Sequence, residues 1–136
     1  MVGHNLKIGG GGFHHIAMKS GNFEKSVKFY TEGLGFEKSI SWGEGNNSAV
    51  MLDTGDGNFL EIFAGGTSGE KPKGTLLHIA FRTDHCDMAL KQAIEAGAEV
   101  TMEPTDMDIK SNPVTAVRIA FCLGPDGEEI EFFQYR

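Results

Sequence analysis

The chain has 136 residues, with 12 Lys and Arg against 19 Asp and Glu and a formal net charge of −7. Hydrophobic residues make up 40% and charged residues 23%, which predicts one soluble globular domain and excludes a disordered chain. No apolar run approaches the roughly 20 residues that span a bilayer, and no basic run offers the electrostatic footprint a phosphate backbone needs. Neither membrane nor nucleic acid is therefore an expected partner. The two cysteines, Cys86 and Cys122, form neither a disulfide scaffold nor a CxxC clasp. With no signal-like apolar stretch at the start, a cytoplasmic location is expected.

Glycine stands out at 19 residues, against a usual share of about 7%, and predicts many tight turns between short strands. Residues 1–12 end in Gly9-Gly10-Gly11-Gly12 and are expected to be a flexible lead-in with no fold of its own. Residues 13–18 form a short apolar segment containing His14 and His15. Phe23, Val27, Tyr30 and Leu34 then recur at helical spacing, with Asn22 as N-cap and Gly33 or Gly35 as the stop. Strand-like stretches follow at 36–42 and 48–52, and residues 56–63 close a first module of about 13–66. A second module, about 75–135, repeats that order. Its His segment is 76–81, and its helix carries Cys86, Leu90, Ala93 and Ile94 on one face between Asp84 and Gly97. Its strands are expected at 99–102 and 114–123, and its closing segment at 126–133. The polar stretches 65–74 and 105–113 are expected to be loops covering a pocket.

The two modules match in sequence as well as in order. His15-Ile16-Ala17 aligns with His78-Ile79-Ala80. Asp56-Gly57-Asn58-Phe59-Leu60-Glu61-Ile62-Phe63 aligns with Asp126-Gly127-Glu128-Glu129-Ile130-Glu131-Phe132-Phe133. The expected fold is α+β. Two tandem βαβββ modules within one domain of residues 13–136 form cupped mixed sheets, with the helices on the outer face.

Strand parity then selects a site. Successive side chains of a strand point to opposite faces. His15 shares a face with Phe13, Ala17 and Lys19, while His14 belongs with Ile16 and Met18 and is set aside. His78 shares a face with Leu76, Ala80 and Arg82, opposite the apolar Leu77, Ile79 and Phe81, which suit packing under a helix. Glu61 lies between Phe59 and Phe63, and Glu131 between Glu129 and Phe133. A carboxylate on an inward, aromatic face is costly to bury without a partner. Two imidazoles and two carboxylates at equivalent positions, His15, Glu61, His78 and Glu131, suit one shared divalent ion such as Ni, Zn, Co, Mn or Fe. Lys19, Arg82, Phe59, Phe63, Phe121 and Phe133, with Trp42 and Tyr135, are candidates for the substrate pocket. Lys19 and Arg82 are placed to anchor an anionic group. His4 and His85 are expected to be incidental.

These motifs also resemble a known group. His14-His15-Ile16-Ala17-Met18, followed by Gly21-Asn22-Phe23-Glu24-Lys25-Ser26-Val27-Lys28-Phe29-Tyr30 and Gly33-Leu34-Gly35-Phe36, resembles the opening of vicinal oxygen chelate proteins. Gly124-Pro125-Asp126-Gly127-Glu128-Glu129-Ile130-Glu131-Phe132 is similar to their closing strand. That superfamily includes glyoxalase I, methylmalonyl-CoA epimerase, extradiol dioxygenases and the bleomycin and fosfomycin resistance proteins. The resemblance places its four metal positions on His15, Glu61, His78 and Glu131. It implies a homodimer whose ligands come from one chain or are split between two. A His-Glu-His-Glu set looks most like bacterial glyoxalase I. It implies a lyase or isomerase that moves a proton next to a carbonyl on a small chelated substrate, with Glu131 and Glu61 as the catalytic bases. The alternatives are an epimerase of the methylmalonyl-CoA type, an extradiol dioxygenase, a thiol transferase, or a non-catalytic antibiotic-binding protein. Two departures weigh against glutathione as co-substrate. Lys19 stands where the bacterial enzymes usually carry arginine, and Ala64-Gly65-Gly66 follows the first glutamate where they carry asparagine.

Overall fold

The computed structural model describes residues 3–7, 9–10, 12–74 and 76–136. Alternating apolar and polar runs become strands, and the two helical patterns become helices. In chain order these are β1 (His15–Lys19), α1 (Phe23–Lys28), β2 (Glu37–Trp42), β3 (Ala49–Asp53), β4 (Phe59–Phe63), β5 (Ile79–Arg82), α2 (Cys86–Glu95), β6 (Glu99–Ile109), β7 (Thr115–Leu123) and β8 (Glu129–Tyr135). Two four-stranded sheets result, ordered β1-β4-β3-β2 and β5-β8-β7-β6. In each sheet the first strand runs parallel to the last, and the other neighbours are antiparallel. The fold is thus two βαβββ modules, as the repeat predicts. The repeat extends to an irregularity. β2 gains one residue on β3 between Lys38 and Ile40, and β6 gains one on β7 between Val100 and Met102. Both extra residues are bulges that bend the sheet around its concave face.

Asn22 caps α1 as expected, its side-chain oxygen accepting the Lys25 N–H at 3.1 Å. Asn22→Ala should cost about 1 kcal/mol of stability, read as a lower midpoint in urea with an unchanged slope. A wider π-turn, Phe29–Gly33, continues the helix and lets Phe29 and Tyr30 both face inward. In α2, Cys86, Leu90 and Ala93 are buried, but Ile94 is 45% exposed. Eight residues after Cys86, it sits at the margin of the apolar stripe. The cap also differs from expectation. His85, not Asp84, precedes α2, and its own side chain caps nothing. Gln134 at the end of β8 instead accepts the Cys86 N–H at 2.8 Å.

Two expectations change in the structure. β5 pairs with β8 only from Ile79 onward, so Leu77 precedes the ladder and is exposed rather than packed under a helix, and Leu76 is exposed as well. Residues 105–109 are strand, and only 110–113 remain a loop. β6 continues to Ile109 and pairs with β7 through Ile109 and Thr115. A second register shift between Met102 and Thr105 accommodates Pro104, which has no N–H to give the ladder. Residues 1, 2, 8 and 11 of the lead-in lie outside the described residues. Asn5 and Gly10 exchange two backbone hydrogen bonds of 2.8 and 2.9 Å, a small closure permitted by the positive φ of Gly9 and Gly10.

One apolar core joins the modules. Val27, Tyr30, Leu52, Leu60 and Ile62 of the first meet Leu90, Ala93, Ala120, Cys122 and Ile130 of the second. Phe36 and Phe81 cross the junction edge to face, with ring centroids 5.1 Å apart. A polar latch lies beside this core. Tyr30 donates its hydroxyl to Glu128 at 2.8 Å, and Asp126 accepts the Gly21 N–H at 2.7 Å. Burial pushes both the Tyr30 phenol and the Glu128 carboxyl upward in pKa. The connecting stretch 65–74 is held here too, since Lys71 donates to the carbonyls of Thr67, Gly69 and Asp126. Gly127 permits that approach. Its φ is +76°, and a Cβ there would collide with the Gly69 carbonyl. No helix among the described residues is long and apolar enough to cross a membrane.

Candidate metal-ligand pairs

β1 and β4 are parallel neighbours, with His15 opposite Phe59 and Ala17 opposite Glu61. His15 therefore sits diagonally from Glu61, and the small Ala17 leaves the space through which the two side chains meet. His15 Nε2 lies 3.5 Å from Glu61 Oε1. The second module repeats this design. Ala80 is opposite Glu131, and His78 Nε2 lies 3.0 Å from Glu131 Oε2. The shared His-Ile-Ala thus has a spatial meaning: the histidine reaches the glutamate across the alanine.

Both glutamates are nearly closed to solvent, with Glu61 8% and Glu131 7% exposed. The apolar residues flanking each of them, Leu60 and Ile62 or Ile130 and Phe132, fill the common core from the opposite face. Among the described residues, the only cationic or imidazole group within 4.0 Å of either carboxylate is its own histidine. Burial raises the Glu131 carboxyl above its ordinary pKa, against the pull of His78, and nearby Glu129 adds to the rise. Each half therefore holds a buried carboxylate with only an imidazole beside it. That donor set fits a divalent cation, which would balance the charge and accept both groups as ligands.

The two pairs do not meet within one chain. Among the described residues no three His, Cys, Asp or Glu side chains come close enough to share an ion. The packing explains this. The helix-facing sides of both sheets make one core, so each His–Glu pair lies on the face of its sheet turned away from it.

The pocket candidates divide in the same way. Phe63 lies beside Trp42 on the first sheet, with ring centroids 6.0 Å apart. Phe121 lies 5.4 Å from the His78 ring, and Phe133 lies 5.2 Å from Tyr135. Phe59, Phe63, Phe121 and Phe133 are half-buried, and Lys19 is exposed. Arg82 pairs with Asp56 at 3.3 Å. A groove of about 950 Å³ between β1, the β3–β4 turn and β5 is lined by His15, Phe59, Asp56 and Arg82 among others.

Parity set His14 aside, yet its Nδ1 lies 2.9 Å from His15 Nδ1 and its ring 5.3 Å from Phe59. β1 begins only at His15, so strand alternation does not govern its neighbour. Glu129 was also overlooked as a contact of His78, whose Nδ1 is 4.0 Å from Glu129 Oε1. The signal for it was available, because Glu129 shares a strand face with Glu131.

Known proteins share this fold. Structures of similar fold include a glyoxalase I variant from Zea mays, at 20% identity and a TM-score of 0.74. That likeness covers 90% of this chain but 44% of the maize chain. A glyoxalase family protein from Enterococcus faecalis matches at 25% identity and a TM-score of 0.70, over 90% of this chain and 97% of its own. An uncharacterized Bacillus subtilis (strain 168) protein, YwkD, is 30% identical over 127 residues, covering 89% of this chain and 94% of its own. The model of the Glyoxalase/Bleomycin resistance protein/Dioxygenase superfamily matches residues 12–132, and the chain belongs to that superfamily.

Proposed function

We propose that this chain is a metal-dependent lyase or isomerase of glyoxalase I type, with its site assembled between two copies of the chain. The observation that carries this reading is the pair of buried, imidazole-matched glutamates, one per module, that cannot meet in a single chain. A homodimer with twofold symmetry brings the His15–Glu61 pair of one protomer to the His78–Glu131 pair of the other, twice. The ion would be held by these four side chains and would supply Lewis-acid polarisation of two neighbouring substrate oxygens. The protein's own groups do the rest. One glutamate takes the proton from the carbon next to the carbonyl. The other, across the pocket, takes the proton of that carbon's hydroxyl and delivers it to the adjacent carbon. The first then gives its proton to the oxygen that was the carbonyl, so both end as carboxylates. Phe59 and Phe121 stand beside the two pairs and give the site apolar walls. Lys19 and Arg82 are the basic groups available to an anionic substrate. The two free, buried cysteines suit a reducing compartment.

A mixing experiment tests both the ion and its position between chains. His15→Ala and His78→Ala proteins, each purified alone, should lose the transition metal that wild-type protein carries at close to one ion per chain. After unfolding and co-refolding, half the dimers are mixed and each mixed dimer regains one intact site. Metal content and turnover should then return to about a quarter of wild type, as twofold symmetry requires. No recovery on mixing places the ligands within one chain. Wild-type protein free of bound metal removes the reading altogether.

A further inference from the structure

Each proposed ligand histidine has a second ring nitrogen, and a different side chain meets it in each module. His15 Nδ1 is 2.9 Å from Nδ1 of His14. His78 Nδ1 is 4.0 Å from Glu129 Oε1, while the other oxygen of Glu129 lies 3.4 Å from Lys73 Nζ. By the repeat, His14 corresponds to Leu77, and Glu129 corresponds to Phe59. Module one thus places a polar partner before its histidine and a phenylalanine on its closing strand, and module two does the reverse. One polar contact per imidazole persists while its origin in the sequence changes.

Resting on the metal-site reading above, we propose that His14 is a positioning residue that sets which nitrogen of His15 carries the proton. Imidazole binds a cation through an unprotonated nitrogen, and the nitrogen aimed at Glu61 is Nε2. The single proton of neutral His15 must then sit on Nδ1. His14 Nδ1 is within reach to accept it, with the proton of His14 on its own Nε2. No proton is gained or lost by the pair. The ring of His14 is steadied against Phe59, with centroids 5.3 Å apart. Outer partners of this kind fix ring orientation and proton placement in metal-binding histidines, and losing one typically costs 10–100-fold in affinity.

The test compares metal-stripped wild type with His14→Phe and His14→Asn, using Zn2+ and a competing chromophoric chelator. Phenylalanine keeps a ring against Phe59 but accepts no hydrogen bond, whereas the asparagine oxygen takes roughly the place of Nδ1. Zn2+ affinity should fall about 10–100-fold in His14→Phe and largely return in His14→Asn. Long-range 1H–15N spectra of the metal-free proteins provide a second readout. The His15 nitrogen signals should shift toward a mixture of the two neutral forms in His14→Phe, while the melting temperature stays at the wild-type value because His14 is exposed. Equal Zn2+ affinity in wild type and His14→Phe overturns this inference and leaves the metal site standing. A loss that asparagine fails to restore also overturns it, since ring packing would then be the cause. Wild-type protein that binds no Zn2+ overturns the site and this inference together.

Discussion

Glu131→Gln should lower kcat by at least two to four orders of magnitude, roughly the contribution of a positioned general base, while leaving the protein folded. The glutamine keeps the shape and an oxygen beside His78 Nε2, now 3.0 Å from the carboxylate. It removes the negative charge and the capacity to take a proton. The Glu131 carboxyl is 7% exposed, and its burial disfavours the charged form. In metal-free protein, replacing it with a neutral amide should therefore hold or slightly raise thermal stability. This opposition is what makes the variant informative. A side chain kept only for structure would lose stability and activity together, whereas a ligand and base loses activity alone. The measurement is steady-state turnover of hemithioacetals and acyl-CoA esters beside a melting curve. Full turnover in the variant would remove Glu131 from the chemistry. Glu61→Gln provides the matching control, because Glu61 occupies the equivalent place beside His15.

Most of the architecture could be read from the repeat. His-Ile-Ala and the closing Glu segments mark strands that pair in parallel, and the apolar spacing between them marks a helix. The residues opposite the site followed from alternation wherever a ladder exists, as at Leu60, Glu61 and Ile62. Alternation misleads where the ladder has not begun. Leu77 and His14 each lie just before a paired strand, and their sequences alone cannot show where pairing starts. The extension of β6 was hidden for a different reason. Pro104 and the polar residues after it suggest a loop, yet a bulge lets the strand pass the proline and continue to Ile109. The separation of the two His–Glu pairs was the least legible feature. It depends on how one module packs against the other, and that is set by the aromatic junction of Tyr30, Phe36 and Phe81 with the latch at Asp126 and Glu128.

That latch yields the largest expected effect on stability. Asp126→Ala should destabilise the protein by about 2–3 kcal/mol, the order of losing a hydrogen bond to a charged group that is itself buried. Asp126 is 3% exposed and accepts the Gly21 N–H at the corner between β1 and α1. Its carboxylate also lies 3.6 Å from Lys71 Nζ. Removing it leaves the Gly21 N–H without its charged partner. Lys71 suffers less, because it is one-third exposed and keeps three backbone carbonyls. At about 3 °C per kcal/mol for a chain of this size, the midpoint should fall by roughly 6–9 °C. Asp126→Asn separates the two contributions. Its amide oxygen still accepts from Gly21 but no longer carries charge for Lys71, so it should recover more than half of the loss. The consequence reaches the site through geometry. The latch bonds the first helix corner to the β7–β8 turn, and with Tyr30 and Glu128 it holds the orientation that keeps the two His–Glu pairs apart in one chain. A weakened latch should let the modules of one protomer re-pair. In the proposed dimer, Asp126→Ala should then raise the monomer fraction in sedimentation before it unfolds the chain. A variant as stable as wild type would show that the apolar junction alone sets how the modules pack.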